Sequence, residues 1–455
     1  MLSIVSLIEN INSVFTDYVL VFALMAVGVF LTVKTGFVQV RFFGEGIRNM
    51  FGGLKKGRNT EGISPFASLA TSLAAQLGTG NIVGAGAAII AGGPGAVFWM
   101  WVSAFFGMAT AYKEAQLAQK TKIRLPDGGF TGGAAYYIKS VFGEKTGKLL
   151  ASMFSLFATI ALGFSGVAVQ SNSISVALKE AMGIPFIVTA VIVTVGAGLV
   201  LFKGSVAVAR LSEKTVPVMA LMYVFVCVAV ILKNIRYIPS SAQLIFTCAF
   251  SSRALMGGAV GTSVKSAVSQ GVKKGLFTNE AGMGSTPSAH ALSNAPSPHY
   301  QGTLGIAAVF IDTFVMMSLT AFAVIIVLYK SGLLTDGTLT GSFAVTLAFS
   351  DILGEKGASV FVALSVLFFA FASILGWNLF GKASACFLFG EKSSKLYTAS
   401  SLFFVFTGSL LSGSLVWALT DFFNTLMVLT NIPALTADVI KRHSSQKTVL
   451  KCQQS

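Results

Sequence analysis

Charge is what this 455-residue chain has least of. Only 11% of its residues are Asp, Glu, Lys or Arg, and just 17 are acidic, where soluble domains carry about 25% charged residues. Histidine occurs three times and cysteine four. None of these stands in a spacing that suggests a metal site or a disulfide framework. No Walker loop, HExxH, nucleophile elbow or CxxC appears, which argues against an enzyme. What fills the chain instead is apolar: 54% hydrophobic residues with a mean hydropathy of +0.78. That is the composition of an integral membrane protein, and no stretch reads as a separate soluble domain.

A bilayer-spanning helix needs about 20 apolar residues. By that measure spans are expected near 17–33, 65–91, 94–117, 148–178, 183–202, 214–232, 243–271, 302–329, 357–388, 396–411 and 414–433. Glu9 and Asp17 precede the first apolar run in place of a basic leader, so 17–33 reads as a retained helix. The net charge of +15 does not read as a nucleic-acid surface, because the basic residues cluster in alternate loops. Lys34 to Arg58, Lys113 to Lys148, Lys203 to Lys214, Lys273 and Lys274, Lys382 to Lys395, and the tail from Lys441 hold 25 of the 32. The positive-inside rule then puts the N-terminus outside and the tail, 434–455, in the cytoplasm. The stretch 330–356 is too polar to span and is expected as a short external helical cap.

One span contradicts itself. Residues 65–101 carry no charge, yet Gly78-Thr79-Gly80-Asn81 sits in the middle. Gly costs about 1 kcal/mol relative to Ala inside a helix. Backbone polar groups bared in lipid cost several kcal/mol each, so a mid-membrane break survives only where it faces a cavity, a ligand or an ion. A second glycine-rich stretch, Gly257, Gly258 and Gly261, falls in the expected span 243–271. Setting the first helix aside leaves two sets of five spans, 65–232 and 243–433, in one membrane domain. Each set opens with an interrupted helix, at 77–81 and at 256–262. An odd number of spans per set inverts one set relative to the other, the signature of an inverted-repeat transporter.

Polar residues within the spans have two readings each. Asn81 is either the cap of a second half-helix or a ligand for a cation or amine. Half-helix amides at Thr79, Gly80 and Asn81 suit a carboxylate. Gln76 either lines the same cavity or bridges helices. Ser365, Ser373 and Asn378 either bond back to their own helix or, for the serines, offer oxygen to Na⁺. Trp377, one turn past Ser373, is a packing aromatic or a pocket wall. Asp312 and Asp421 are functional candidates by their depth, with a helix-to-helix hydrogen bond or a buried pair as the structural reading. No chemistry is assigned to the histidines.

Seven segments together resemble the alanine/glycine:cation symporter family. They are QLGTGNIVGAGAAIIAGGPGAVFWMW (76–101), KEAQLAQKTKIR (113–124), RLSEKTVP (210–217), QGVKKGLFTNEAGMGSTPSAHA (270–291), DTFVMMSLTA (312–321), FAFASILGW (369–377) and WALTDFFNTLMVLTNIPAL (417–435). The resemblance implies an all-α integral membrane fold of the leucine-transporter type, a 5+5 inverted repeat with one extra N-terminal helix. It implies Na⁺-coupled, in some members H⁺-coupled, uptake of alanine or glycine across the bacterial inner membrane, with glutamine as the alternative substrate. The expected partners are a small neutral amino acid, Na⁺ and membrane lipid; no nucleic acid and no cofactor other than Na⁺ as coupling ion is expected. By this resemblance the amides of Gly78, Thr79 and Gly80 hold the substrate carboxylate, beside Asn81 and Gln76. Carbonyls near Ala74 and Leu77, with Phe369, Ser373 and Asn81, hold Na⁺. Trp377 limits the side-chain pocket, and Gly257 and Gly258 face the substrate ammonium. The chain departs from the family at Ala372-Ser373, where Ser-Thr is common, and at Ala134-Ala135, where Pro-Met is usual.

Overall fold

The computed structural model describes Ile8, Asn12 and residues 15–52, 62–125, 128–251, 264–334 and 336–454. Nearly all of them are helical. Val21–Lys34 (α1) precedes the core, and two short helices follow it, Val38–Arg41 and Phe43–Gly52. Pro65–Gln76 (α2) and Gly80–Gly92 (α3) form one path bent by 56°. Gly95–Thr121 (α4), Ala134–Met182 (α5), Phe186–Leu201 (α6) and Ser205–Lys233 (α7) complete the first half. The second half contains Ile238–Phe250 (α8), Val264–Asn279 (α9) and Pro287–Ala291 (α10). Pro298–Ser331 (α11), Gly341–Phe389 (α12), Ser394–Gly408 (α13) and Gly413–Gln454 (α14) follow. Among the described residues six helices are long and apolar enough to cross a bilayer, and the bent pair adds a seventh.

Local chemistry explains the helix ends near the site. Ser64 caps α2, its hydroxyl accepting from the Ala67 N–H at 3.0 Å, and Pro65 occupies the first helical position, where a missing N–H costs nothing. The helix stops at Leu77, whose φ of −76° and ψ of 74° form an inverse γ-turn. The Gly78 N–H closes that turn on the Gln76 carbonyl at 2.9 Å. The expected external cap, 330–356, contains the start of α12, which bends at Gly354 with φ +71°.

The chain from α9 to Ser293 runs parallel to α4 along its whole length. Gly271 packs on the Ala96 backbone and Gly275 on Met100 and Ser103, each so closely that a Cβ would sit 2.3–2.4 Å from an α4 atom. Further along, Glu114 accepts from the Gly282 and Gly284 N–H groups, and the Gln119 amide reaches the His290 and Ser293 carbonyls. The α2–α3 path runs the other way along the same segment. Ile63 pairs with Ser293, the Ser68 hydroxyl donates to the Ala289 carbonyl, Gln76 meets Asn279, and Gly92 abuts Ser266 and Gln270. Two interrupted, antiparallel paths therefore lie side by side at the centre of the molecule.

The second interruption that the structure describes is Glu280–Thr286, between α9 and α10. The expected break at 256–262, with Gly257 and Gly258, lies outside the described residues. The expected span 243–271 contains most of α8 and the first half of α9. The central path starts at Val264 and continues to Ala291, through residues read from the sequence as a polar loop. Apolarity misled there: α9 carries Lys265, Lys273 and Lys274, while its Ala267, Gly271 and Gly275 face is buried against α4.

Candidate functional site

The two interruptions face each other. A Cβ on Gly80 would lie 2.6 Å from the Thr278 methyl, so only glycine permits this approach of α3 to the end of α9. The Gln76 amide donates to the Asn279 carbonyl at 2.7 Å. Asn279 in turn shapes its own turn, accepting from the Ala281 N–H at 3.0 Å and donating to the Thr313 hydroxyl at 3.2 Å.

A cavity opens at this junction. Its wall includes Gln76, Gly78, Thr79 and Gly80 from the first break, Thr278 and Glu280 from the second, Gln170 from α5 and Trp377 from α12. Lys273, Asp421 and Asn424 line it farther from the breaks, and Lys273 approaches Asp421 at 3.6 Å. The Thr79 N–H points at the Gln170 side-chain oxygen at 3.5 Å. Gly80 heads the next helix, where first-turn N–H groups lack intrahelical partners. The Gly78 and Asn81 amides are engaged, to Gln76 and Gly78 carbonyls, and the Thr79 amide makes only its long contact to Gln170, so Gly80 first and Thr79 second are the amides best placed to meet an anion.

The expected cation ligands assemble in part. The Ser373 hydroxyl lies 3.0 Å from the Ala74 carbonyl, 3.2 Å from Ala75 and 3.2 Å from Phe369. These three carbonyls and one hydroxyl form an oxygen cluster next to Gly78, whose Cβ position would be 2.8 Å from the Ser373 oxygen. Ala75 joins the expected set. Leu77 is buried in the γ-turn. Hard cations such as Na⁺ prefer oxygen ligands of this kind.

Asn81 stands behind the cavity wall and is fully buried. Its amide donates to the Asp312 carboxylate at 2.6 Å. The Thr313 hydroxyl donates to the other carboxylate oxygen at 2.9 Å. Three buried oxygens near the first break have no hydrogen-bond partner among the described residues: Gln76 Oε1, Thr79 Oγ1 and Asn81 Oδ1. Buried polar atoms are normally satisfied.

The sequence reading left out Glu280, Gln170, Thr278, Asn279 and Glu114. Glu280 is 1% exposed and has φ +55°, one of two described non-glycine residues with positive φ. Its carboxylate accepts from the Trp377 indole N–H at 2.6 Å and from the Ser285 hydroxyl. Glu114 is fully buried and anchors the same turn, with Asn431 donating to it at 2.8 Å. The signal for the turn was present in Asn279-Glu280-Ala281-Gly282-Met283-Gly284. An acid beside two closely spaced glycines marks a tight backbone, and both glycines do adopt positive φ.

Comparison with known proteins agrees with this architecture. A family model described as the sodium:alanine symporter family matches residues 1–447. An uncharacterized transporter of Haemophilus influenzae is 38% identical, covering 95% of this chain and 93% of its own. Sodium/alanine symporter AgcS of Methanococcus maripaludis is 35% identical, over 95% and 94%. The probable sodium/glutamine symporter GlnT of Bacillus subtilis is also 35% identical, over 93% and 86%. Among solved structures, MhsT in complex with L-phenylalanine superposes with a TM-score of 0.58 at 13% identity, over 83% of this chain and 89% of MhsT. A manganese transporter of Eremococcus coleocola gives 0.54 at 13% identity, over 80% and 77%. The fold is therefore that of the leucine-transporter type, as the inverted central paths require. With a whole-chain family match and relatives aligned from end to end, the chain belongs to the sodium:alanine symporter family.

Proposed function

We propose that the protein couples inward movement of Na⁺ to uptake of a small neutral amino acid, alanine or glycine, by alternating access. The observation that carries this reading is the meeting of two interrupted helices over one cavity. The Thr79 and Gly80 amides, at a helix N-terminus, attract the substrate carboxylate. The Ser373 cluster receives Na⁺ beside Gly78, so cation and carboxylate stabilise each other in a poorly hydrated space. The cavity volume is ≈ 80 Å³. One water takes roughly 10–15 Å³ on this scale, so the space holds a handful of water-sized atoms, as a small solute needs. Trp377 on the wall favours small side chains over glutamine.

Basic loops set the orientation, with the N-terminus outside and the tail from 434 in the cytoplasm. In that orientation the cavity, lined by the early turns of α14, opens outward; Lys273 and Lys274, counted from the sequence with the cytoplasmic loops, instead sit on α9 at its wall, and the other basic loops carry the asymmetry. The contacts of Asn431 with Glu114 and with the Tyr137 hydroxyl, which donates to the Asn431 side-chain oxygen, then lie on the cytoplasmic side of the breaks, where they close the inner path. The two five-helix units, 65–232 and 243–433, would rock against each other to exchange these states, with 17–33 outside both. Each Na⁺ moving inward supplies about 2.3 kcal/mol per 100 mV. At 1.4 kcal/mol per tenfold, that concentrates a neutral solute on the order of 40-fold.

The test is uptake by proteoliposomes containing the purified protein. Labelled alanine should accumulate when an inward Na⁺ gradient is imposed, and glycine should compete more strongly than glutamine. Equal accumulation without Na⁺ would reject Na⁺ coupling.

A further inference from the structure

The reading above gives the substrate carboxylate and Na⁺ a place; Gly257 and Gly258, expected to face the ammonium, lie outside the described residues. We propose that Glu280 is the group that receives the substrate ammonium, which makes it a binding residue of the transport site. The inference rests on the cavity being an amino-acid site, and it goes further by assigning that site a polarity.

Four observations converge on Glu280. It lines the cavity together with Gly78, Thr79, Gly80 and Trp377. It is 1% exposed, and among the described residues neither it, Glu114 nor Asp312 forms an ion pair with a basic side chain. The lysines that share the cavity are engaged elsewhere, Lys273 near Asp421 and Lys274 over the Trp417 ring at 5.8 Å. The Glu280 backbone is held in the left-handed region at φ +55°, a conformation that costs a non-glycine residue energy and that clusters at functional sites.

The surroundings fix the carboxylate rather than neutralise it. Trp377 and Ser285 each donate one hydrogen bond, which leaves each oxygen further acceptor capacity. The turn beneath is pinned by Glu114, which accepts from the Gly282 and Gly284 N–H groups at 3.0 and 2.9 Å and from Asn431 at 2.8 Å. Glu114 has thus committed three of its roughly four acceptor sites to the fold, while Glu280 presents a carboxyl group to the cavity. A zwitterion lying between the two breaks would set its carboxylate on the Thr79 and Gly80 amides and its ammonium on Glu280. The same Trp377 that walls the side-chain pocket would then orient the carboxylate that selects for an amine.

The experiment measures alanine half-saturation in proteoliposomes for wild type, Glu280→Gln and Glu280→Asp, with lactate, propionate and β-alanine as competitors. Glu280→Gln keeps the shape and a hydrogen-bond acceptor for Trp377 but removes the charge. It should raise the alanine half-saturation about 30-fold, or roughly 2 kcal/mol at 1.4 kcal/mol per tenfold. Lactate and propionate, which lack the ammonium, should compete at least as well against Glu280→Gln as against wild type. Glu280→Asp withdraws the charge by one methylene, so β-alanine, one methylene longer, should gain on alanine as competitor. That readout needs only the Asp variant to fold. An alanine half-saturation within twofold of wild type in Glu280→Gln, or an unchanged alanine to β-alanine ratio in Glu280→Asp, overturns the assignment while the transport reading stands. A wild-type protein that does not bind alanine refutes both.

Discussion

The two helix interruptions at the centre of the molecule do the same structural job with opposite chemistry. The first, at Leu77–Thr79, is uncharged and lies within an apolar run. It offers the amide of Gly80 at a helix start and neutral side-chain oxygens without a partner among the described residues. The second, at Glu280–Thr286, carries a buried acid and is fastened from outside by another, Glu114. One break can present amides to an anion, and the other a carboxylate to a cation. A zwitterion needs both, and a symmetric pair of breaks would not tell its ends apart.

The largest expected effect follows from disrupting the first break. Asn81→Ala should abolish alanine uptake with expression and monodispersity unchanged, because it removes the donor to Asp312 and an unsatisfied buried oxygen together. Normal uptake in this variant would detach the first break from transport. Next in size is Gly80→Val, which forces side-chain atoms into the Thr278 methyl already 2.6 Å from the Cβ position. Initial uptake rates should fall more than about tenfold, since overpacking of this kind costs roughly 1–3 kcal/mol. A rate near wild type would mean the two breaks need not touch.

Ser373→Ala should raise the Na⁺ half-saturation about tenfold, the loss expected for one ligand hydroxyl, on the order of 1.4 kcal/mol. Alanine transport at saturating Na⁺ should change little. A larger effect on alanine than on Na⁺ would move the Ser373 cluster from the cation to the substrate. The smallest effect on rate is expected from Trp377→Ala, whose main consequence is a broader competition profile that admits larger side chains. Retention of wild-type selectivity would remove Trp377 from the size filter.

The contrast between the breaks also explains what could be read from the sequence. Gly78 to Asn81 stood out because glycines and an asparagine interrupt a run without charge, and lipid forbids that unless a cavity follows. Glu280 did not stand out, because Lys273 and Lys274 just before it give the segment the composition of a loop. Hydropathy averages over a window. It cannot see that Gly271 and Gly275 bury one face of α9 on α4 while the lysines turn toward a cavity. In the Ser373 cluster, Ala74, Phe369 and Ser373 were expected from the resemblance; the Ala75 carbonyl was not, because side-chain identity does not encode where a carbonyl points. Asp312 was visible as an intramembrane acid, but its partner Asn81 lies 231 residues away in the chain, a pairing that one sequence does not reveal.

Hydrogen–deuterium exchange on the purified protein, with and without alanine and Na⁺, tests the central claim most directly. Alanine and Na⁺ together should slow exchange at peptides covering both 77–81 and 280–286, by more than Na⁺ alone. Protection confined to other segments, or exchange at both interruptions indifferent to the two ligands, would contradict the account.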